Sequence, residues 1–249
     1  LAAGTARAWE QAQRLPDPAI EILDPSFAKY RIYSSTLEQV ATGFRWAEGP
    51  VYFPNGGYLL FSDIPNNRVL RWNEENGAVS TFMSDSGYSN GHTRDMQGRL
   101  VSCEGLTRRV TRAELDGSVT VVANSFQGKR LLRPNDVIVK SDGTIWFSDN
   151  GAGIRGNYLG DKAEPTLPYR VYKLDPITGR LTIAVDDMPR PNGLAFSPNE
   201  DKLYVVDTPS APLPKLTRVY DIVDGQAVDG RTFFDATPGY TDGIRVDTE

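Results

Sequence analysis

The chain has 249 residues, with 27 Lys and Arg against 32 Asp and Glu, a formal charge of −5, one His and one Cys. That length holds one large domain or two small ones, and 39 % apolar with 24 % charged residues is a globular balance that excludes wholesale disorder. Net acidity, with Lys129, Arg130 and Arg133 as an isolated basic group, excludes nucleic acid as a partner; a lone Cys103 excludes an internal disulfide and, with one His, a Cys/His zinc site.

In chain order, Thr5 as a cap and Pro16 as a stop predict a short helix over Thr5–Leu15, inside an N-terminal extension of residues 1–19. The chain opens on Leu1 and residues 1–15 lack the apolar run of a signal peptide, so the compartment stays open between cytoplasm and periplasm. No run approaches the roughly 18 apolar residues of a membrane span, so a soluble protein without a membrane partner is expected. From 41 to 235, short apolar runs alternate with Asn-Gly, Asp-Gly and Pro-containing turns, which predicts many brief antiparallel strands.

These runs repeat. A strand ending in an acid occurs as Tyr58-Leu59-Leu60-Phe61-Ser62-Asp63, Leu100-Val101-Ser102-Cys103-Glu104, Ile145-Trp146-Phe147-Ser148-Asp149 and Leu203-Tyr204-Val205-Val206-Asp207, with the acids 41, 45 and 58 residues apart. After each comes an Arg-led strand, at Arg68, Arg109, Arg170 and Arg218. Gly-led closing strands follow in the first two units, from Gly77 and Gly117. Units of about 40–50 residues with about four strands each are the mark of β-propeller blades, so the fold class expected is all-β, a propeller. Four full units fill 44–235 and a fifth opens at Tyr240–Asp247, so the chain reads as cut short at its C-terminus, with a propeller domain over 20–249. Residues 20–40 are left to supply a ring-closing strand, and Gly151–Pro168 reads as a Gly-rich loop inserted over one face.

Each unit opens on a polar residue in a repeated frame: Glu48-Gly49, Asn90-Gly91, Asn135-Asp136, Asn192-Gly193 and Asp242-Gly243. Any one of these pairs reads equally well as a turn dipeptide. Five in register predict convergence, because innermost strands line a propeller's channel and place equivalent residues at one mouth. Glu48, Asn90, Asn135, Asn192 and Asp242 would then form a ring of oxygen donors with no thiolate, which suits Ca²⁺ better than Zn²⁺. The strand-ending acids Asp63, Asp149 and Asp207 read as blade turns rather than chemistry. Trp46, Trp72 and Trp146 read as packing between blades, with Trp46, beside Glu48, also a sugar platform.

The motifs Ala47-Glu48-Gly49-Pro50, Arg133-Pro134-Asn135-Asp136-Val137, Pro191-Asn192-Gly193-Leu194-Ala195-Phe196-Ser197 and Asp242-Gly243-Ile244-Arg245-Val246-Asp247 resemble the signatures of the SMP-30/gluconolactonase family, over about residues 20–249. The stretch from Ile22-Leu23-Asp24-Pro25 to Glu48 looks most like its bacterial gluconolactonase branch. The resemblance implies a six-bladed propeller. It also implies one divalent metal ion on Glu48, Asn135, Asn192 and Asp242, with Asp242 as catalytic base or nucleophile. Arg133 matches a substrate-contacting arginine, and Asn90 joins the substrate pocket by register. His92 stands where the family has an apolar residue and is expected to be a buried wall residue.

The expected activity is metal-dependent hydrolysis of a sugar lactone, its carbonyl polarised by the cation and its water activated by Asp242. Two rivals share the fold: a phosphotriesterase of the diisopropylfluorophosphatase type, and a non-catalytic binding propeller. No Gly-x-Ser-x-Gly elbow or phosphate loop competes, and the oligomeric state is not legible.

Overall fold

Short strands joined by tight turns pair with their sequence neighbours, and the four repeats accordingly fold as four antiparallel four-stranded sheets in chain order. The computed structural model of the protein describes residues 14–248. Blade I holds β1 (Ala47–Phe53), β2 (Tyr58–Asp63), β3 (Arg68–Asn73) and β4 (Val79–Ser84). Blade II holds β5 (Ser89–Arg94), β6 (Leu100–Glu104), β7 (Arg109–Ala113) and β8 (Val119–Ala123). A small hairpin, β9 (Ser125–Phe126) with β10 (Lys129–Arg130), follows. Its turn residues Gln127 and Gly128 both have positive φ, the requirement of a two-residue hairpin.

Blade III holds β11 (Pro134–Val139), β12 (Ile145–Asp149), β13 (Arg170–Leu174) and β14 (Leu181–Val185). Blade IV holds β15 (Pro191–Phe196), β16 (Lys202–Asp207), β17 (Leu216–Val223) and β18 (Gln226–Asp235). The first strands β1, β5, β11 and β15 lie next to one another in that order, as the inner strands of a propeller do. Six blades remain what the resemblance implies; the described residues build four.

The core lies between blades. Val51, Leu60 and Val69 of blade I meet Leu100 of blade II; Val101, Cys103 and Val110 of blade II meet Val137, Phe147 and Tyr172 of blade III; Ile138, Trp146 and Val171 meet Leu194, Leu203 and Val205 of blade IV. A second strand covered on both faces must be apolar nearly throughout, which is why β6 and β12 are buried along their whole length. Trp146 packs edge-on against Phe196 of the next blade at 5.3 Å, the inter-blade role expected of it. Cys103 is free and buried, and burial pushes its thiol well up.

The strand-ending acids are not turn residues but buried latches. Asp63 accepts from the backbone N–H of Arg45 at 3.0 Å, Asp149 from Leu132 and Arg133 at 2.8 and 2.7 Å, and Asp207 from Arg190 at 2.7 Å. In each case the acid ties down the two or three residues that precede the ring residue of its own blade. Removing such an acceptor strands buried donors. Asp149→Ala should therefore cost on the order of 2–5 kcal/mol, and Asp149→Asn, with one acceptor oxygen kept, clearly less. Urea unfolding checks this, and an Ala variant as stable as the parent would refute the latch.

Among the described residues, those up to Gly43 group as one compact unit and those from Phe44 onward as another. In the first unit, Asp17 is buried and its carboxylate accepts from the N–H groups of Ala19 and Leu37, both at 2.8 Å. Those bonds hold it below the usual carboxylate range. A 3-10 helix spans Pro25–Lys29 behind the Asp24 cap, but 20–40 contains no strand, so the ring-closing strand expected there is absent. The helix expected over Thr5–Leu15 lies almost wholly outside the described residues. Tyr240–Asp247, expected as a strand, is irregular chain with a bend at Gly243 and no ladder pairing; an inner strand pairs with the second strand of its own blade, and the described residues hold none for it. No helix among the described residues is long and apolar enough to cross a membrane.

Candidate functional site

All four inner strands carry the same irregularity. Their register with the second strand shifts between Glu48 and Val51, Ser89 and His92, Pro134 and Val137, and Pro191 and Leu194. Each shift is a bulge that admits one extra residue and re-aims the side chains around it. The Asn-Gly pairs thus sit inside strands, not in turns, and Asn90, Asn135 and Asn192 are presented from the bulges at equivalent places, as is Glu48.

The glycines have a separate cause. A Cβ on Gly49 would fall 2.1 Å from the Asn90 carbonyl oxygen, one on Gly91 2.5 Å from that of Asn135, and one on Gly193 2.2 Å from that of Asp242. Each frame nests its backbone against the ring residue of the next, and only a residue without Cβ allows that approach. Blade III breaks the pattern with Asp136, whose carboxylate instead accepts from Leu194 N–H of blade IV at 3.2 Å.

These frames enclose a cavity of about 270 Å³ lined by Glu48, Asn90, Asn135, Asp136, Asn192, Asp242 and Arg245, among others. Glu48 is pushed above its usual range by burial and by the charges of Asp242 and Asp136, against a 3.0 Å hydrogen bond from the Trp46 indole. Asp242 is likewise raised by burial and by Asp136, while a hydrogen bond from the Asn192 amide and the charge of Arg190 pull it down. Arg245 offsets part of this crowding, donating to Asp136 at 3.2 Å and to the His92 carbonyl at 3.4 Å. The Asn192 amide also donates to Thr208 at 3.2 Å.

His92 stands behind the ring, fully buried. Its Nε2 meets the Ser62 hydroxyl at 2.7 Å and its Nδ1 the Ser102 hydroxyl at 2.8 Å, so both nitrogens are occupied and neither faces the cavity. Burial pulls its pKa down to about 4. Below its ordinary value of 6.5 the unfolded chain takes up a proton that the folded chain refuses, so stability present above that pH is lost as pH falls toward 4. The loss is on the order of 3 kcal/mol. Urea midpoints of the parent should therefore fall more steeply than those of His92→Gln between about pH 7 and pH 4; equal slopes would refute it.

Of the residues expected from sequence, Glu48, Asn90, Asn135, Asn192 and Asp242 line one cavity, which brings residues of four blades and the segment after them together. Arg133 does not line it. Its buried guanidinium donates to the carbonyl oxygens of Leu159 and Asp161, in the loop inserted at 151–168. That loop also reaches Trp46, whose ring lies 6.3 Å from that of Tyr158. Trp46, 45 % exposed, is thus a rim residue rather than an inter-blade one. Asp136 and Arg245 were missed; the one available signal was Asp136 standing where the other frames have Gly.

A profile described as SMP-30/Gluconolactonase/LRE-like region matches residues 46–249. The gluconolactonase of Zymomonas mobilis is 32 % identical over 240 residues, covering 87 % of this chain and 66 % of that protein, so the chain spans just under two-thirds of its length. A solved gluconolactonase from Xanthomonas campestris is 38 % identical with a TM-score of 0.79, covering 84 % of this chain and 69 % of its own. A calcium-binding regucalcin from Agrobacterium tumefaciens, at 18 % identity and a TM-score of 0.64 over 84 % of this chain and 66 % of its own, shares the fold. With the profile covering most of the residues and its motifs meeting in a single cavity, this chain belongs to the SMP-30/gluconolactonase/LRE-like family.

Proposed function

We propose that the protein hydrolyses a sugar lactone of the gluconolactone kind, using a divalent cation held by Glu48, Asn135, Asn192 and Asp242. The observation that carries this reading is the convergence of those four oxygen-bearing side chains, with Asn90, in one cavity. The donor set fits a hard cation: two carboxylates and two amides, no thiolate, and the one imidazole turned to serines behind the wall. Similarity to two gluconolactonases above 30 % identity supports the substrate class.

Bound there, the ion supplies Lewis acidity toward a lactone carbonyl oxygen. Asp242 accepts a proton from water as the water oxygen bonds to the carbonyl carbon. The tetrahedral centre then collapses, the ring C–O bond breaks, and the departing ring oxygen takes up the proton that Asp242 had accepted, giving the open hydroxy acid and restoring the Asp242 carboxylate. Asn192 and Arg190 pull the Asp242 carboxyl down against the burial that raises it, and its role as a base rests on position. Trp46 fixes the Glu48 carboxylate and offers its exposed face to the sugar. Arg133 acts through the loop it holds.

Removal of divalent ions is the test. Dialysis against EDTA should lower gluconolactone turnover by at least ~100-fold, and added Ca²⁺ should restore it. Full activity in excess chelator would exclude metal dependence.

A further inference from the structure

A second cavity, of about 440 Å³, lies between the loop at 151–156 and the loop at 209–213. Both loops leave the blades at the same end as the ring residues, since Asp149 pairs with Pro134 and Asp207 with Pro191. Arg155, Tyr169, Arg190 and Ser210 line it, and no Asp or Glu does. Its polarity is therefore opposite to that of the ring cavity, where Glu48, Asp136 and Asp242 gather.

Two links join the cavities. Arg190 immediately precedes Pro191-Asn192, and its charge reaches the Asp242 carboxyl. Thr208, which receives the Asn192 amide, leads directly into the second cavity's wall at Pro209 and Ser210. The tripeptides Arg133-Pro134-Asn135 and Arg190-Pro191-Asn192 are equivalent in the repeat, yet their arginines differ in use. Both guanidinium ends of Arg133 are spent on loop carbonyls. The Nε of both arginines is buried without a partner, but the guanidinium of Arg190, unlike that of Arg133, makes no hydrogen bond at its ends either among the described residues. A buried donor left unpaired is costly unless a ligand completes it. Arg155, an exposed residue on the cavity wall, has no hydrogen bond or ion pair among the described residues and is free to turn toward a ligand there.

We propose that this cavity is an anion subsite, in which Arg190 and Arg155 hold a carboxylate or phosphate carried by the substrate at the end remote from its lactone carbonyl. The inference rests on the lactonase reading and narrows its substrate class to acidic or phosphorylated sugar lactones. A planar guanidinium suits either anion through paired N–H donors.

The test uses open-chain product acids, whose binding needs no turnover. By calorimetry at low ionic strength, 6-phosphogluconate or glucarate should bind at least ~10-fold more tightly than gluconate, and whichever is preferred identifies the anion as phosphate or carboxylate. Arg190→Met should abolish that preference and Arg155→Met should reduce it. Equal affinity for all three acids, no binding of either 6-phosphogluconate or glucarate at millimolar concentration, or a preference that survives both substitutions would overturn the subsite. Hydrolysis of neutral and phosphorylated lactones is assayed in parallel. Turnover without anion preference removes the subsite alone, whereas anion binding through the two arginines without any lactone turnover removes the lactonase reading and leaves the subsite.

Discussion

Asp242→Asn is expected to lower kcat on gluconolactone by at least ~10³-fold with the blades still folded. Asn is nearly isosteric and can still hydrogen-bond to Asn192, but it cannot accept a proton from water and brings no charge to the cavity. Glu48→Gln makes the informative contrast. Its amide oxygen can still take the Trp46 indole bond, so the side chain stays in place while one negative charge is lost. If Glu48 serves only to hold the ion, its loss of activity should be recovered by raising the divalent ion concentration. The Asp242→Asn loss should not be, because proton acceptance is gone whatever occupies the cavity. Parental activity in either variant at low metal would end the proposed mechanism, and rescue of both by metal would reduce Asp242 to a ligand.

Gly193→Ala should lower kcat/KM by about 100-fold with little change in stability, an effect of placement alone. A Cβ there would land 2.2 Å from the Asp242 carbonyl oxygen and 2.9 Å from Gly243 Cα. Contact of that kind is relieved only by movement of one backbone, and the segment around Asp242 has no ladder bonds to resist it. Gly49→Ala meets a stiffer neighbour. Its Cβ would fall 2.1 Å from the carbonyl oxygen of Asn90, inside the paired strand β5, and its φ of +57° is one that alanine adopts only under strain. That variant should lose both activity and roughly 2–4 kcal/mol of stability, read from its urea midpoint. Near-parental turnover in Gly193→Ala would mean that Asp242 does not need its present position.

The blades were legible because blade pairing is local. Each strand pairs with its sequence neighbour, so the recurring acid-ended and Arg-led strands mark four sheets in the sequence itself. The β9–β10 hairpin escaped notice because Gln127-Gly128 is a weak turn signal beside Asn-Gly or Asp-Gly. The reading of Asp63, Asp149 and Asp207 as turn residues failed for a different reason. Aspartate favours turns when exposed, but here each is buried and accepts backbone N–H groups from a segment 17 or 18 residues earlier, a relation that local propensity does not encode.

The cavity residues themselves were also accessible, since repetition turns one position into five. Their order along the chain and their shared frame determined that Glu48, Asn90, Asn135, Asn192 and Asp242 would face one place. What the side chains around them do was decided by the tertiary structure alone. Arg133 and Arg190 occupy the same frame in sequence, yet one is consumed by the carbonyls of a loop that only blade III carries and the other is left facing a cavity. Trp46 became a rim residue, and Asp136 a bridge to the next blade, by the same kind of long-range contact. A repeated motif specifies where a backbone goes, because strand pairing and bulges are local; which partner a long side chain finds there depends on insertions and neighbours that the repeat does not contain.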